Sequence, residues 1–431
     1  MGDDLNKYED PKTKYEVYGK PPMSLRNLRT FNSLKNPVYR LYFLGMLGQR
    51  ASMNMQMMAR SLLIWRLTGS AAILGLMSFF HALPMLSLSL FGGVIADRVH
   101  KKYVLLAGLA SSALVSLGIA LALTMGYISA EQPGSWWILA VASLFQGSIM
   151  GLMIPSRQAI IAEIVDEEEL MNAISLDSMG MNTLRLTAPA LSGFLIDALG
   201  FQSVYYVMSG MYVMGTILIA FMPLTGKMTL RGGHALAEII GGFKYIRRET
   251  TILLLLIFTL LAVLFSMPYM MMMPIFADSI LKVGASGMGI LMSVSGVGAI
   301  TGSLIFASLP NKKRGVLLIV SSLLLGLALA SFSFSSSWPL SLTLMVFVGL
   351  GQTGRMTMGN TLIQYYVDDE YRGRVMSVYM MEFGMTSFAT FAAGLIAEAV
   401  GAQWALGSFA TVLVIVSLLA LIFVPRIRKL D

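Results

Sequence analysis

Twelve apolar stretches, each long enough to cross ~30 Å of hydrocarbon as a helix rising ~1.5 Å per residue, run along the chain. They fall at 39–66, 72–96, 103–126, 137–164, 171–198, 202–223, 251–276, 285–309, 315–334, 338–365, 374–398 and 402–424. A longer polar connection, 224–250, divides them six and six. The pattern predicts an all-α integral membrane protein with twelve transmembrane helices in two pseudo-symmetric six-helix bundles. The expected divisions are an N-terminal tail (1–36), a first bundle (37–223), the linker (224–250), a second bundle (251–425) and a C-terminal tail (426–431). In the linker, Ile239, Phe243 and Ile246 recur at helical spacing beside Lys244, Arg247 and Arg248. That predicts an amphipathic helix at the membrane surface. Leu25, Leu28 and Phe31 with Arg26 and Arg29 predict a similar element before the first span.

Composition agrees with the pattern. The chain is 56% hydrophobic and 13% charged, about half the charge of a soluble domain. The absence of cysteine excludes disulfides, thiol nucleophiles and thiolate metal sites. The polar start, Met1 to Tyr18, does not read as a cleavable signal peptide. Lys and Arg sort by side: Arg98, Lys101, Lys102, Lys227, Arg231, Lys244, Arg247, Arg248, Lys312, Lys313, Arg314, Arg372, Arg374, Arg426, Arg428 and Lys429 fall on one side, and only Arg66 and Lys282 lie near the other. The rule that basic loops stay inside then places both termini in the cytoplasm. The net charge of +8 is accounted for as topology and gives no reason to expect nucleic acid as a partner.

An internal repeat supports two related halves. The segment from Ile160 through Val165-Asp166-Glu167-Glu168 to Ser175 matches that from Leu362 through Val367-Asp368-Asp369-Glu370 to Ser377 without a gap. The hinge between spans 2 and 3 reads Gly93-x-x-x-Asp97-Arg98-x-His100-Lys101-Lys102. Asp97 sits where the positive N-terminus of span 11, with Arg372 and Arg374 nearby, can compensate it, and Arg98 can face Glu163 or Asp166. This hinge resembles the loop between helices 2 and 3 of the major facilitator superfamily, although His100 stands where that motif usually has Gly. Further local matches are Leu67-Thr68-Gly69-Ser70-Ala71, Gly92-Gly93, Pro155-Ser156-Arg157-Gln158-Ala159, Ala188-Pro189-Ala190-Leu191-Ser192-Gly193 and Arg372-Gly373-Arg374-Val375-Met376-Ser377. They are similar to the enterobactin-exporter-like and macrolide-efflux branch of that superfamily. The resemblance implies alternating access of two bundles, with Asp97, Arg98, Lys101 and Lys102 at a cytoplasmic gate. Gly93 in the hinge and Glu163, Arg372 and Arg374 as facing charges are expected to complete it, the alternative being that these charges merely fix topology. The stretch at Ala188–Gly193 is similar to the antiporter motif of exporters, with Leu184 and Ala188 where that motif prefers Gly.

Ionisable groups inside a span cost ~2.5–3.5 kcal/mol or more unless they face a partner or water, which makes each a candidate. Span 1 carries Gln49, Gln56 and Arg60 on one stripe, with Arg50 and Asn54 about a quarter turn away. Span 5 carries Asn182 and Arg185, and span 10 carries Gln352 and Arg355. These form the expected substrate-binding set. Arg60 can also snorkel outward, and Arg157 on span 4 fits a gate better than a substrate contact. Asp177 and Glu382 are the acids farthest from span ends and the expected proton-coupling groups; the alternative is a permanent ion pair with Arg185, Arg157 or Arg355. A carboxylate in a low-dielectric site can take a proton from one side and release it when substrate or an arginine arrives. His81 reads as a core residue. Met270-Met271-Met272-Met273, between Pro268 and Pro274, offers flexible thioethers to an apolar ligand or simply packs.

No nucleotide-binding loop, metal pattern or nucleophile triad occurs, so no cofactor, metal or enzymatic activity is expected. Together these features predict a multi-pass inner-membrane secondary transporter, a proton-coupled exporter of an amphipathic organic solute such as a siderophore or drug. A lipid or lysophospholipid translocator, an uncoupled facilitator and a non-transporting receptor are the alternatives. The expected partners are the solute, protons and membrane lipids, and the expected state is a monomer.

Overall fold

The computed structural model describes residues 31–132, 134–224, 235–310 and 312–431. A short turn of helix at Asn32–Lys35 leads into α1 (Pro37–Thr68), α2 (Ala71–Arg98), α3 (Lys101–Thr124), α4 (Trp136–Ile164), α5 (Glu167–Leu199) and α6 (Phe201–Ala220). After α7 (Ala235–Arg248), the second half comprises α8 (Thr250–Ser266), α9 (Tyr269–Ile275) with a π-helical turn at Phe276–Ile280, α10 (Gly284–Ser308), α11 (Arg314–Ser333), α12 (Trp338–Tyr366), α13 (Arg372–Val400), α14 (Ala402–Phe423) and α15 (Pro425–Arg428). Span 7 is therefore interrupted at Met267-Pro268 and widened after Pro274. The element expected around Leu25–Arg29 lies outside the described residues.

Among the described residues, nine segments are long and apolar enough to cross a membrane. The long helices α1, α5 and α12 are not among these nine, and they carry most of the polar candidates. Their apolarity is diluted because one face of each looks inward.

Without a hydrophobic drive between helices in lipid, close packing depends on small residues. In the first half, α4 crosses α2 through Gly147 and Gly151, where a Cβ would lie 2.1 Å from the His81 carbonyl oxygen and 2.5 Å from that of Met85. In the second half, α12 crosses α10 in the same way: a Cβ on Gly349 would lie 1.8 Å from the Ser295 oxygen, and one on Gly298 would lie 1.9 Å from the Val346 oxygen. Gly147 and Gly349 are separated by the same number of residues as Ile160 and Leu362, so the crossing belongs to the internal repeat. Gly349→Leu is expected to abolish the α10–α12 contact and with it the monodisperse, detergent-soluble protein in size-exclusion chromatography. A normal elution profile would refute that dependence on a bare backbone.

The ends of the second half are tied down. Gly315 N–H donates to the Leu430 carbonyl at 3.0 Å, Lys313 N–H donates to Asp431 Oδ1 at 2.6 Å, and Ile427 is buried. The tail expected at 426–431 thus packs beneath α11. The linker helix α7 rests on the start of α13: Tyr245 stacks on Tyr371 with centroids 4.3 Å apart, and the Arg374 guanidinium lies 5.1 Å from the Tyr371 centroid. Burial pushes the Tyr245 phenol above its usual pKa, so the hydroxyl that accepts from Asp368 N–H stays neutral.

Candidate functional site

The two halves meet along α2 with α13 and along α5 with α10. Between them lies a narrow cavity lined by Asn54 and Met57 of α1, Arg185 and Pro189 of α5, Tyr269, Met270 and Met273 of α9, Met292 and Ser295 of α10, and Met345 of α12. Its open space is ≈ 20 Å³, about enough for one water. An organic solute fits only if the halves separate. Arg185 is the one charged residue in that lining; thioethers, which adapt to irregular ligands, form most of the rest. Two of the four consecutive methionines, Met270 and Met273, thus line the interface, while Met271 and Met272 lie outside that lining.

Several other candidates gather in the first half. Arg50 donates through Nη2 to Asp177 Oδ2 at 2.5 Å and through Nη1 to the Asp177 carbonyl oxygen at 2.8 Å. Arg157 Nη1 donates to Gln49 Oε1 at 3.2 Å, and Gln49 Nε2 donates to Met150 Sδ at 3.8 Å. The Tyr42 hydroxyl donates to the Arg157 carbonyl at 3.1 Å. Asn54 lies one turn beyond Arg50 and donates to its carbonyl at 2.9 Å. Asp177 is therefore paired with Arg50 of α1, a partner absent from the three arginines weighed above. The pair joins α1 to α5 inside one half. Gln56 is buried, Arg60 reaches Ser143 Oγ at 3.3 Å within the same half, and Asn182 is exposed outside the cavity lining.

The second half holds a different knot. Glu382 of α13, 4% exposed, accepts from Thr259 Oγ1 at 2.7 Å. Arg355 of α12 is 1% exposed, and among the described residues no carboxylate lies within 4.0 Å of it. Gln352 donates to Met267 Sδ at 3.7 Å. Glu382 Oε2 and Arg355 Nε and Nη2 are buried without hydrogen-bond partners. Buried polar atoms are nearly always satisfied, and Asp177 Oδ1 in the first half is likewise without a partner.

At the basic face, Lys101 Nζ lies 2.5 Å from Glu163 Oε1. Arg98, expected to face Glu163 or Asp166, is exposed and among the described residues has no carboxylate within 4.0 Å; Glu163 is instead met by Lys101, the first residue of α3. Lys102 donates to the Ala220 and Met222 carbonyls at 2.8 and 2.5 Å, closing the end of α6. Arg372 pairs with Asp369, and Arg374 stacks on Tyr371. Gly93 and Asp97 fall on the last turns of α2, and the Asp97 side chain lies outside the described residues.

The polar ties between halves that the described residues provide lie on the opposite face. Arg66 Nε and Nη2 donate to Asp278 at 2.7 and 3.1 Å. Asp197 accepts from Ser286 N–H at 2.8 Å, and Glu398 accepts from Ala71 N–H at 2.8 Å. Sequence reasoning passed over Asp197, Asp278 and Glu398 because acids at span ends look like ordinary solvated termini.

A family model described as the Major Facilitator Superfamily matches residues 42–381 and 269–431. The chain belongs to the Major Facilitator Superfamily. Among curated members, it is 25% identical over 341 residues to the staphyloferrin A transporter of Staphylococcus aureus, covering 77% of this chain and 82% of that one. It is also 25% identical over 350 residues to the enterobactin exporter EntS of Shigella flexneri, covering 78% and 77%. A crystal structure of a mutant nucleoside transporter NupG superposes with a TM-score of 0.69 at 14% identity, over 89% of this chain and 98% of that one. The superfamily fold is thereby shared, and these relatives are membrane transporters rather than enzymes.

Proposed function

We propose that the protein is a proton-coupled exporter of an amphipathic, oxygen-rich organic anion of the siderophore type, working by alternating access of its two halves. The observation that carries this reading is Arg185 within a methionine-lined cavity at the interface of the halves. A guanidinium can hold a carboxylate or a deprotonated hydroxyl through two parallel hydrogen bonds, and the thioethers accommodate the apolar remainder. The names of two curated relatives, a staphyloferrin A transporter and an enterobactin exporter, point to the same solute class. Asp177 and Glu382 are the acids proposed to exchange protons. The geometry favours Glu382, because Asp177 is ion-paired with Arg50 whereas among the described residues no cation lies within 4.0 Å of Glu382; each acid keeps one oxygen without a hydrogen-bond partner.

Everted vesicles with an acidic interior provide the test. Addition of a carboxylate or catecholate siderophore is expected to release lumenal protons only when the protein is present, with uptake of labelled solute in step. Arg185→Gln is expected to weaken apparent affinity by about 10–100-fold, the loss of one charge-assisted contact worth ~1.5–3 kcal/mol. Lipophilic cations moving in place of anions, or an affinity untouched by Arg185→Gln, would overturn the assignment.

A further inference from the structure

The closed face of the interface carries the same device twice. On α5, Gly193 stands one turn before Asp197, and the helix stops at Gly200 with φ +81°. On α13, Gly394 stands one turn before Glu398, and that helix stops at Gly401 with φ +89°. Both segments read Gly-x-x-x-acid-Ala-x-Gly. Each glycine admits the first turn of a helix from the other half. A Cβ on Gly193 would lie 2.4 Å from the Ala285 carbonyl oxygen, and one on Gly394 would lie 2.5 Å from that of Ala71. One turn farther on, each carboxylate covers the N-terminus so admitted. Asp197 Oδ2 accepts from Ser286 N–H at 2.8 Å. Glu398 Oε2 accepts from Ala71 N–H at 2.8 Å, Ala72 N–H at 3.3 Å and Ser70 Oγ–H at 3.1 Å.

First-turn N–H groups have no partner within their own helix, and the helix dipole favours a negative charge beside them. Here the charge comes from the opposite half. The contact that completes α10 exists only while α5 is against it, and the one that completes α2 only while α13 is. Both acids are exposed, so water can replace each cap when the halves part, without leaving a bare charge in hydrocarbon. We propose that Asp197 and Glu398 are a paired, exchangeable latch that holds this face shut during the transport cycle. They act as positioning residues whose release opens the cavity. The latch rests on the alternating-access reading, but not on any particular solute.

The chain lacks cysteine, so a single introduced thiol reports access directly. Met57→Cys in the cavity, with Met270→Cys as a second reporter, is to be labelled with a membrane-impermeant maleimide in right-side-out and inverted vesicles. Tyr127→Cys, exposed in the α3–α4 connection, identifies vesicles that present the latched face. Asp197→Asn with Glu398→Gln keeps an acceptor oxygen at each site and removes only the charge. This pair of changes is expected to raise cavity labelling from the latched face on the order of tenfold, as expected for two dipole contacts, and to lower it from the basic face. Either single change should give an intermediate rate. Unchanged labelling from the latched face, with labelling from the basic face intact, would overturn the latch and leave alternating access standing. An equal rise from both faces would mean loosened packing and would also overturn it. A cavity closed from both faces in every background would overturn alternating access together with the latch.

Discussion

Asp177→Leu is expected to lower the unfolding free energy of the detergent-solubilised protein by about 3–5 kcal/mol, the range for stripping one partner from a buried ion pair. Arg50 and Asp177 are 7% and 16% exposed in their side chains, and Arg50 spends two donors on this one residue. Removing the acid leaves the buried Arg50 without its carboxylate and with the like charge of Arg157 nearby. Arg50→Met should be milder, because Arg157 remains to offset the carboxylate. In the double variant Arg50→Met/Asp177→Leu, neither uncompensated charge remains, and most of the loss should be recovered. Denaturant unfolding of the four proteins closes the double-mutant cycle. A single variant as stable as the parent would mean that the pair does not hold α1 to α5 and would put Asp177 level with Glu382 as a proton-coupling group.

Glu382→Gln carries the second large expectation: proton flux driven by solute should fall to that of empty vesicles, while solute binding persists. The amide oxygen of glutamine can still accept from Thr259 Oγ1, as Glu382 does at 2.7 Å, so the local packing is retained. What is lost is the group that can change charge beside Arg355, whose Nε and Nη2 have no partner of their own. Solute-driven proton release from Glu382→Gln at the parental rate would remove Glu382 from the coupling step. Loss of binding together with flux would make it a structural residue instead.

The membrane helices were legible because hydrocarbon imposes both a length and an apolarity on each span. The expected range 39–66 and the observed Pro37–Thr68, or 402–424 and Ala402–Phe423, differ only at their ends. Span 7 breaks at Met267-Pro268, where proline lacks the N–H that a continuous helix requires, whereas Pro274 lies inside α9, so a proline in the sequence does not by itself mark a break. The polar candidates were found for the same reason: Arg50, Asp177, Arg355 and Glu382 stand out wherever charge is expensive. Their partners were not legible. Arg50 meets Asp177 through the rotation of α1 about its axis against α5, a relation across 127 positions that helical periodicity within either span does not encode. Likewise Lys101, rather than Arg98, reaches Glu163 because α3 begins there and turns its first residue toward the end of α4.

Sequence alone determined that this chain spans a membrane many times, that its two halves are related, and which inward-facing polar groups must have a purpose. Each of these follows from a local constraint, either the solvent around a helix or the repetition of a segment. Only the tertiary structure decided which half each charge serves, that Arg185 rather than Arg60 lines the cavity between halves, and that Asp197 and Glu398 close one face by capping helices of the opposite half. Those outcomes depend on how helices rotate and approach one another, and that is governed by side chains and bare glycines meeting across the interface, far apart along the chain.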